Sequence, residues 1–337
     1  MRIRGFGYAL TIGTIAALLA GCGGSQPPVS APGMMPQSRV ATGRAGRGSW
    51  MLPEAKSADL LYAGDTQCCT TTGFGRVDVF SYPSGKLLGR LSGFDDPGGL
   101  CVDAAGDIWI TNFENGNIVE YAHGGSAPIA TLKANAYNPL GCSVDVTTGD
   151  LAVSYLGGAV AVWKSARGEP TLYRFSYGLS HCGYDDSGNL FVDRGSYFIG
   201  LLELPAGGKS FMTIALRKRI FGEAGQVQWD GQYITVEKKD RPGKILRIEV
   251  SGSTGKIVSE TTFSGFSARV NTSWIQSGSL LIPYAESRKG VTQQIGVWKY
   301  PAGGEPSRRI GFFKGSSRGV YAAEAVSLAS SHSLQRQ

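Results

Sequence analysis

From about residue 57 onward the apolar positions fall in short runs of four or five, with no long helical stripe, and turns bearing Gly separate them. The plainest copy has apolar runs at 99–103, 108–112, 117–121 and 127–132. The Gly before the second run recurs as Gly106, Gly149, Gly188, Gly231 and Gly278, at intervals of 43, 39, 43 and 47 residues. Those intervals lie close to the ~40 to 45 residues of four-stranded blade repeats. Third strands are expected in step at 77–80, 118–121, 160–163, 201–204, 245–248 and 295–298. Six third strands predict an all-β, six-bladed β-propeller of four-stranded antiparallel blades, since no single blade can bury both its faces. Residues 59–63 read as a second strand lacking a first, and 321–326 as a first strand lacking a second. Pairing these N- and C-terminal strands in one blade closes the ring and removes a free edge.

Composition adds little to that fold and much to location. Charged residues make up only 18% of the chain and Gly is abundant, as expected of one large all-β domain over 54–328 with a disordered tail at 329–337. Arg2 and Arg4 precede an apolar stretch at 8–20, too short to span a membrane stably and built like an export signal over 1–21. The stretch ends in Leu19, Ala20, Gly21 and Cys22, which resembles the bacterial lipobox, in which the Cys thiol takes a diacylglyceryl group. Lipidated Cys22 would anchor the protein in the cell envelope, stably only with two or more acyl chains. Gly23 lacks the resemblance to an inner-membrane retention Asp, which favours the outer membrane. Residues 22–53 carry Arg39, Arg44 and Arg47 but no acid, and read as a flexible tether.

Five cysteines remain after Cys22, so export permits disulfides but leaves one thiol unpaired within a monomer. Cys68 and Cys69 are adjacent in a Thr- and Gly-rich loop, open to a vicinal disulfide or a soft-metal pair. Cys101, Cys142 and Cys182 hold matching places in three first strands, either as a thiol arc near the central channel or as small hydrophobes in a crowded inner ring.

Topology selects the face on which function is expected. In a four-stranded meander the loops joining second to third strands and those joining fourth strands to the next first strand emerge on one side. That face collects Arg217, Lys218, Arg219, Lys238, Lys239, Arg241, Lys244 and Arg318, a basic crescent suited to an anionic partner such as an acidic envelope protein or an anionic glycan. Asp95, Asp96 and Glu114 fall elsewhere on its rim. Aromatic residues crowd the same loops: Phe113, Tyr137, Tyr155, Tyr177, Tyr197, Phe198, Phe221 and Phe266. Exposed, such rings suit protein or sugar contacts; buried, they fill gaps between blades.

Catalytic signals are thin. Only three His are present, so no His cluster suits a catalytic zinc, and no Gly-x-Ser-x-Gly elbow appears. Nucleic-acid binding is not expected of an exported chain despite a net charge of +7.

Pro97, Gly98, Val102, Asp103, Gly106, Ile108, Ile110, Asn112, Asn117, Ile118 and Tyr121 together resemble an NHL repeat. Residues 57–328 as a whole look like six-bladed propellers grouped with NHL and gluconolactonase-like proteins, and phrases around Cys142, Cys182 and Trp298 are similar to uncharacterised exported bacterial propellers. The resemblance implies the fold. Two functions follow as expectations. One is a lipid-anchored, monomeric binding or scaffolding propeller that needs no cofactor. The other is a metal-assisted hydrolase or lyase of the gluconolactonase-like type, holding a divalent metal at the channel mouth with some of Asp95, Asp96, Asn112, Glu114, Asn138, His181 and Glu223.

Overall fold

The computed structural model describes residues 48–65, 75–194, 198–240, 242–265, 272–286, 292–314 and 324–327. Their regular elements are strands, apart from two short 3-10 turns. The second sheet runs Pro97–Val102, Ile108–Asn112, Asn117–Tyr121 and Pro128–Lys133, and the third Pro139–Val144, Leu151–Tyr155, Ala159–Trp163 and Thr171–Arg174. Each is an antiparallel meander. A nine-stranded sheet follows, built from two more four-stranded meanders and the short strand Ile220–Phe221. The first is Cys182–Tyr184, Leu190–Arg194, Phe198–Leu204 and Met212–Leu216; the second is Ala224–Trp229, Ile234–Lys238, Gly243–Ser251 and Thr254–Phe263. A short parallel pairing of Ala215 and Leu216 with Thr254 and Gly255 joins them. The last sheet is Trp274–Gln276, Ser279–Glu286, Thr292–Lys299 and Arg308–Lys314.

The remaining sheet unites the two ends of the chain. Glu324–Ser327 pairs antiparallel with Leu60–Asp65, Leu60 opposite Ser327, and Gly75–Ser81 and Leu87–Phe94 complete the meander. Trp50–Met51 then adds a fifth strand outside Leu87–Phe94, with Trp50 opposite Arg90. The outer edge is thereby covered.

Two sequence devices set this geometry. Asp103, Asp145, Asp185 and Asp230 each accept backbone N–H bonds from the turn that follows, for instance from Ser187 and Asn189 at 2.9 and 2.8 Å in the case of Asp185. These are Asx turns, and Gly106, Gly149, Gly188 and Gly231 in the same turns all have positive φ. Asp107, Asp150 and Asn189 then tie the turn between third and fourth strands, accepting from the N–H of His123, Ser165 and Ala206. The second device is the glycine of the first strands. A Cβ on Gly99 would stand 2.4 Å from Leu140 O, one on Gly141 2.8 Å from His181 Cα, and one on Gly183 2.6 Å from Val227 O. Three successive junctions are thus packed backbone on backbone, with no room for a side chain.

Apolar faces fill the space between sheets. Trp109, Tyr155 and Trp163 are fully buried between the second and third sheets, Val192 and Leu202 pack against Ala152 and Val160 at the next junction, and Phe263 and Trp298 occupy the junction before the last sheet. Cys101 and Cys142 form a disulfide that bridges the first strands of the second and third sheets, 5.7 Å between Cα atoms. Both line one cavity of about 230 Å³ with Cys182, whose thiol is buried and pushed up to about 12 by desolvation. The expected arc of three thiols is therefore one disulfide and one inert thiol, and the pair offers no thiolate for a soft metal. Cys22, Cys68 and Cys69 lie outside the described residues.

Candidate functional site

The fourth residue of the second strand changes character around the structure. In the second and third sheets it is Thr111 and Ser154, whose hydroxyls donate to Leu140 O at 3.2 Å and Ser180 O at 2.7 Å, each a carbonyl of the next unit along the chain. In the two following meanders it is Asp193 and Glu237, both fully buried. Asp193 Oδ1 accepts from the His181 N–H at 2.7 Å, and Glu237 Oε2 accepts from Ser273 Oγ at 2.8 Å. The second oxygen of each, Asp193 Oδ2 and Glu237 Oε1, has no hydrogen-bond partner among the described residues. Hydroxyl latches have given way to carboxyls with acceptor capacity left over.

Burial governs the chemistry of this cluster. Desolvation pushes Asp193 and Glu237 each up to about 7, against the opposing pull of the Lys239 ammonium. Desolvation, with Lys239 second, drives His181 down to about 3, so its ring is neutral near pH 7. The Ser180 hydroxyl lies 2.8 Å from His181 Nδ1. A base held near 3 is roughly four orders of magnitude weaker than one poised near 7, and the pair does not generate an activated serine.

Above this buried layer opens a pocket of about 340 Å³. It is lined by Leu179, Ser180 and Ala224, at or just before the starts of first strands, by Leu140, Leu156, Tyr177 and Phe198, and by the charged Arg194, Lys239 and Glu223. Arg194 is the last residue of its strand, and its guanidinium lies 4.3 Å from the Tyr177 ring centre and 5.3 Å from that of Phe198. The short strand Ile220–Phe221 turns back onto Phe198–Leu204, pairing Phe221 with Phe198, and so brings Arg219 to 5.6 Å from the Phe198 ring. Neither Arg194 nor Lys239 has a carboxylate within ion-pairing distance among the described residues. Tyr137, Leu156, Phe198 and Phe221 are exposed on the same loops.

The expected basic crescent divides in three. Lys238 is paired to Asp240 at 2.7 Å and Lys244 to Glu260. Arg217, Lys218 and Arg219 are exposed beside the pocket, and Lys239 lines it. Arg241, Arg318, Tyr197 and Phe266 lie outside the described residues. The channel-mouth set also separates. Asn112 Oδ1 accepts from Asp95 N at 2.7 Å, Glu114 N donates to Asp95 O, Phe113 N donates to Asp96 O, and Asn138 reaches Phe113 O. Those groups form one bonded cluster at the start of the second sheet, while Glu223 lines the pocket and His181 is buried next to its Ser180. Burial, with Glu114 and Asp95 nearby, pushes the Asp96 carboxyl up.

Three acidic ligand atoms within 4.8 Å of one another occur, among the described residues, only at Asp103, Asp107 and Glu120, on the opposite face. Sequence reasoning passed over Arg194, Asp193 and Glu237. Asp193 and Glu237 share a strand position with Thr111 and Ser154, a register the repeat alignment exposes once the strands are superposed.

Antiparallel four-stranded sheets arranged in series, with the first and last strands of the chain joined, define the β-propeller class. Residues 94–121 match the NHL repeat family. No curated protein matches the sequence significantly. The fold is similar to that of a protein of unknown function from Bacteroides caccae, at 12% identity and a TM-score of 0.59, covering 80% of this chain and 99% of that one. It is also similar to a chain of a nidogen/laminin complex, at 11% identity and a TM-score of 0.57, covering 81% and 99%. A third likeness, to Kuenenia stuttgartiensis hydrazine synthase, has 10% identity and a TM-score of 0.50 and covers 61% of this chain and 63% of that one. These structural likenesses carry the fold alone. With the matched repeat, which spans residues 94–121 alone, they support the β-propeller fold.

Proposed function

We propose that this chain is a six-bladed propeller, lipid-anchored at Cys22 in the bacterial cell envelope, that binds or scaffolds a partner on its loop-rich face. Counting the two meanders of the nine-stranded sheet separately gives the six units of that reading. The Cys101–Cys142 disulfide supports an exported location, since such bonds persist in oxidising compartments. One observation carries the binding function: Arg194 and Lys239, without acid partners, line a pocket flanked by exposed rings and by Arg217, Lys218 and Arg219. Aromatic residues and Arg are the types enriched at the centres of interfaces. An anionic surface, on an envelope protein or a glycan, is the partner such a face suits. The metal-assisted alternative finds no three-ligand cluster at this face among the described residues.

Affinity capture from a detergent extract of the envelope tests the reading, using the full-length protein beside its Arg217→Glu, Lys218→Glu, Arg219→Glu variant. A partner retained by the first and lost by the second supports it; identical capture by both excludes this face. Membrane fractionation of Cys22→Ser tests the anchor, and unchanged membrane association would remove it.

A further inference from the structure

The pocket carries more than a general affinity for anions. Arg194 is held by two rings rather than by an acid, which fixes its planar fork at the wall while leaving its N–H donors unbonded. Lys239 lines the same pocket and its charge acts on the buried Asp193, Glu237 and His181. Glu223 lines the same pocket, and Arg219 stands beside it over the Phe198 ring. The walls of Leu140, Leu156 and Phe198 offer the anion's remainder an apolar lodging, and about 340 Å³ is at the small end of ligand pockets, which run from roughly 300 to 1,000 Å³.

We propose that this pocket binds a carboxylate borne on an apolar body, the carboxylate received by Arg194 and Lys239 and the body laid against Leu140, Leu156 and Phe198. The same chemistry is presented by a free organic acid and by the C-terminal residue of a polypeptide ending in an apolar side chain. The proposal goes beyond the partner-binding reading, since it stands whether or not the neighbouring Arg217, Lys218 and Arg219 hold a macromolecule.

The experiment titrates the full-length detergent-solubilised protein with hexanoate, 3-phenylpropionate and N-acetylphenylalanine, each beside its primary amide, and with a hexapeptide ending in Phe as free acid and as amide. Calorimetry reads affinity. The expected result is binding of at least one acid with a tenfold or greater loss in its amide, a further tenfold loss in Arg194→Gln at unchanged melting temperature, and a further tenfold loss in Lys239→Gln. Arg194→Lys, which keeps the charge and removes the fork, is expected to fall between wild type and Arg194→Gln; it replaces Arg194→Gln should that variant fail to fold. Binding of the small acids but not the peptide assigns a free metabolite-sized ligand, and binding of the peptide acid assigns a chain terminus. Absence of binding by every acid, equal binding of acid and amide, or variants that bind as wild type would each overturn the proposal. Partner capture that survives such a failure leaves the scaffolding reading standing, and acid binding without capture does the reverse.

Discussion

The two faces of this propeller use charge in opposite ways. On the face of the turns between first and second strands, side-chain oxygens are committed to the backbone: Asp185 closes its own turn, and Asp107, Asp150 and the amide of Asn189 fasten the neighbouring one. On the loop face, Arg194 and Lys239 close no turn and pair with no acid among the described residues, while Asp193 and Glu237 beneath them keep an oxygen apiece without a donor. Charge on the first face is structure; charge on the second is left over from it. Unengaged polar groups at a pocket are where a ligand recovers the missing interactions.

The comparison breaks hardest at Asp230. Its Oδ1 accepts from the Gln232 and Tyr233 N–H groups, and its Oδ2 from Arg247 Nε at 2.6 Å and from Tyr300 OH at 2.7 Å, the last reaching the neighbouring sheet. Burial alone would raise its pKa, but the bonds from Arg247, Tyr300 and the turn outweigh it and hold the carboxyl below its ordinary value. Asp230→Ala leaves a mostly covered guanidinium and a half-buried phenol without their acceptor, and is expected to cost about 2–4 kcal/mol in urea unfolding at pH 7. Because the native pKa is lowered, this contribution is present above the ordinary carboxylate range and disappears as pH falls through the native value. A cost that stays constant down to pH 2 would contradict the assignment.

The loop face is expected to respond with the opposite sign. Glu237 is raised from its ordinary value near 4.5 to about 7, so the fold disfavours its charged form. Below about pH 4.5 it is protonated in folded and unfolded chains alike and costs nothing; as pH rises toward 7 and beyond, the unfolded chain ionises first and stability falls. Glu237→Gln keeps an oxygen to accept from Ser273 and removes that titration. Its expected advantage over wild type is absent at pH 4, grows through pH 7, and reaches roughly 1–3 kcal/mol at pH 8. Parallel stability curves for the two proteins would show that the carboxyl is not held neutral.

A smaller effect on the turn face calibrates the scale. Asp185→Ala removes bonds from Ser187 N, Asn189 N and Asn189 Nδ2 in a largely exposed turn, where water replaces part of what is lost. About 1 kcal/mol is expected, read as a shift in urea midpoint at constant slope. A change in slope would mean that the turn organises more than its own hairpin.

The difference between faces also explains what was readable in advance. Asp followed within a few residues by Gly has a local cause, so the turns and the strand period stood in the sequence at Asp103 and Gly106 and again at Asp185 and Gly188. Closure was legible for the same reason, because the unmatched second strand at its start required the partner now seen at Glu324–Ser327. The loop face has no such code. Arg194 is one more cation in the sequence; its role comes from Tyr177 and Phe198, brought beside it from separate strands. Lys238 and Lys239 are adjacent and chemically identical, yet one pairs with Asp240 and the other faces the pocket, a distinction made by strand alternation and a neighbouring acid. The disulfide was hidden similarly, since equal register in two first strands fixes proximity but not bonding.

The smallest expected effect is the most telling. Arg194 contributes no ion pair to the fold, and its ring contacts are of the exposed kind worth about 0.5–1 kcal/mol, part of which the flat amide of Gln retains. Arg194→Gln is therefore expected to change unfolding stability by less than about 0.5 kcal/mol, below any of the acids on the opposite face. Lys239→Gln behaves differently with pH. Lys239 lowers the pKa of both Asp193 and Glu237, so its removal pushes them further up and deepens the loss of stability above pH 7; near pH 4 it instead relieves the charge that also holds His181 down, and stability there is expected to rise slightly. Were Arg194→Gln instead to cost 2 kcal/mol or more, the guanidinium would be a structural strut like Arg247, and the contrast between the faces would fail at the residue on which it most depends.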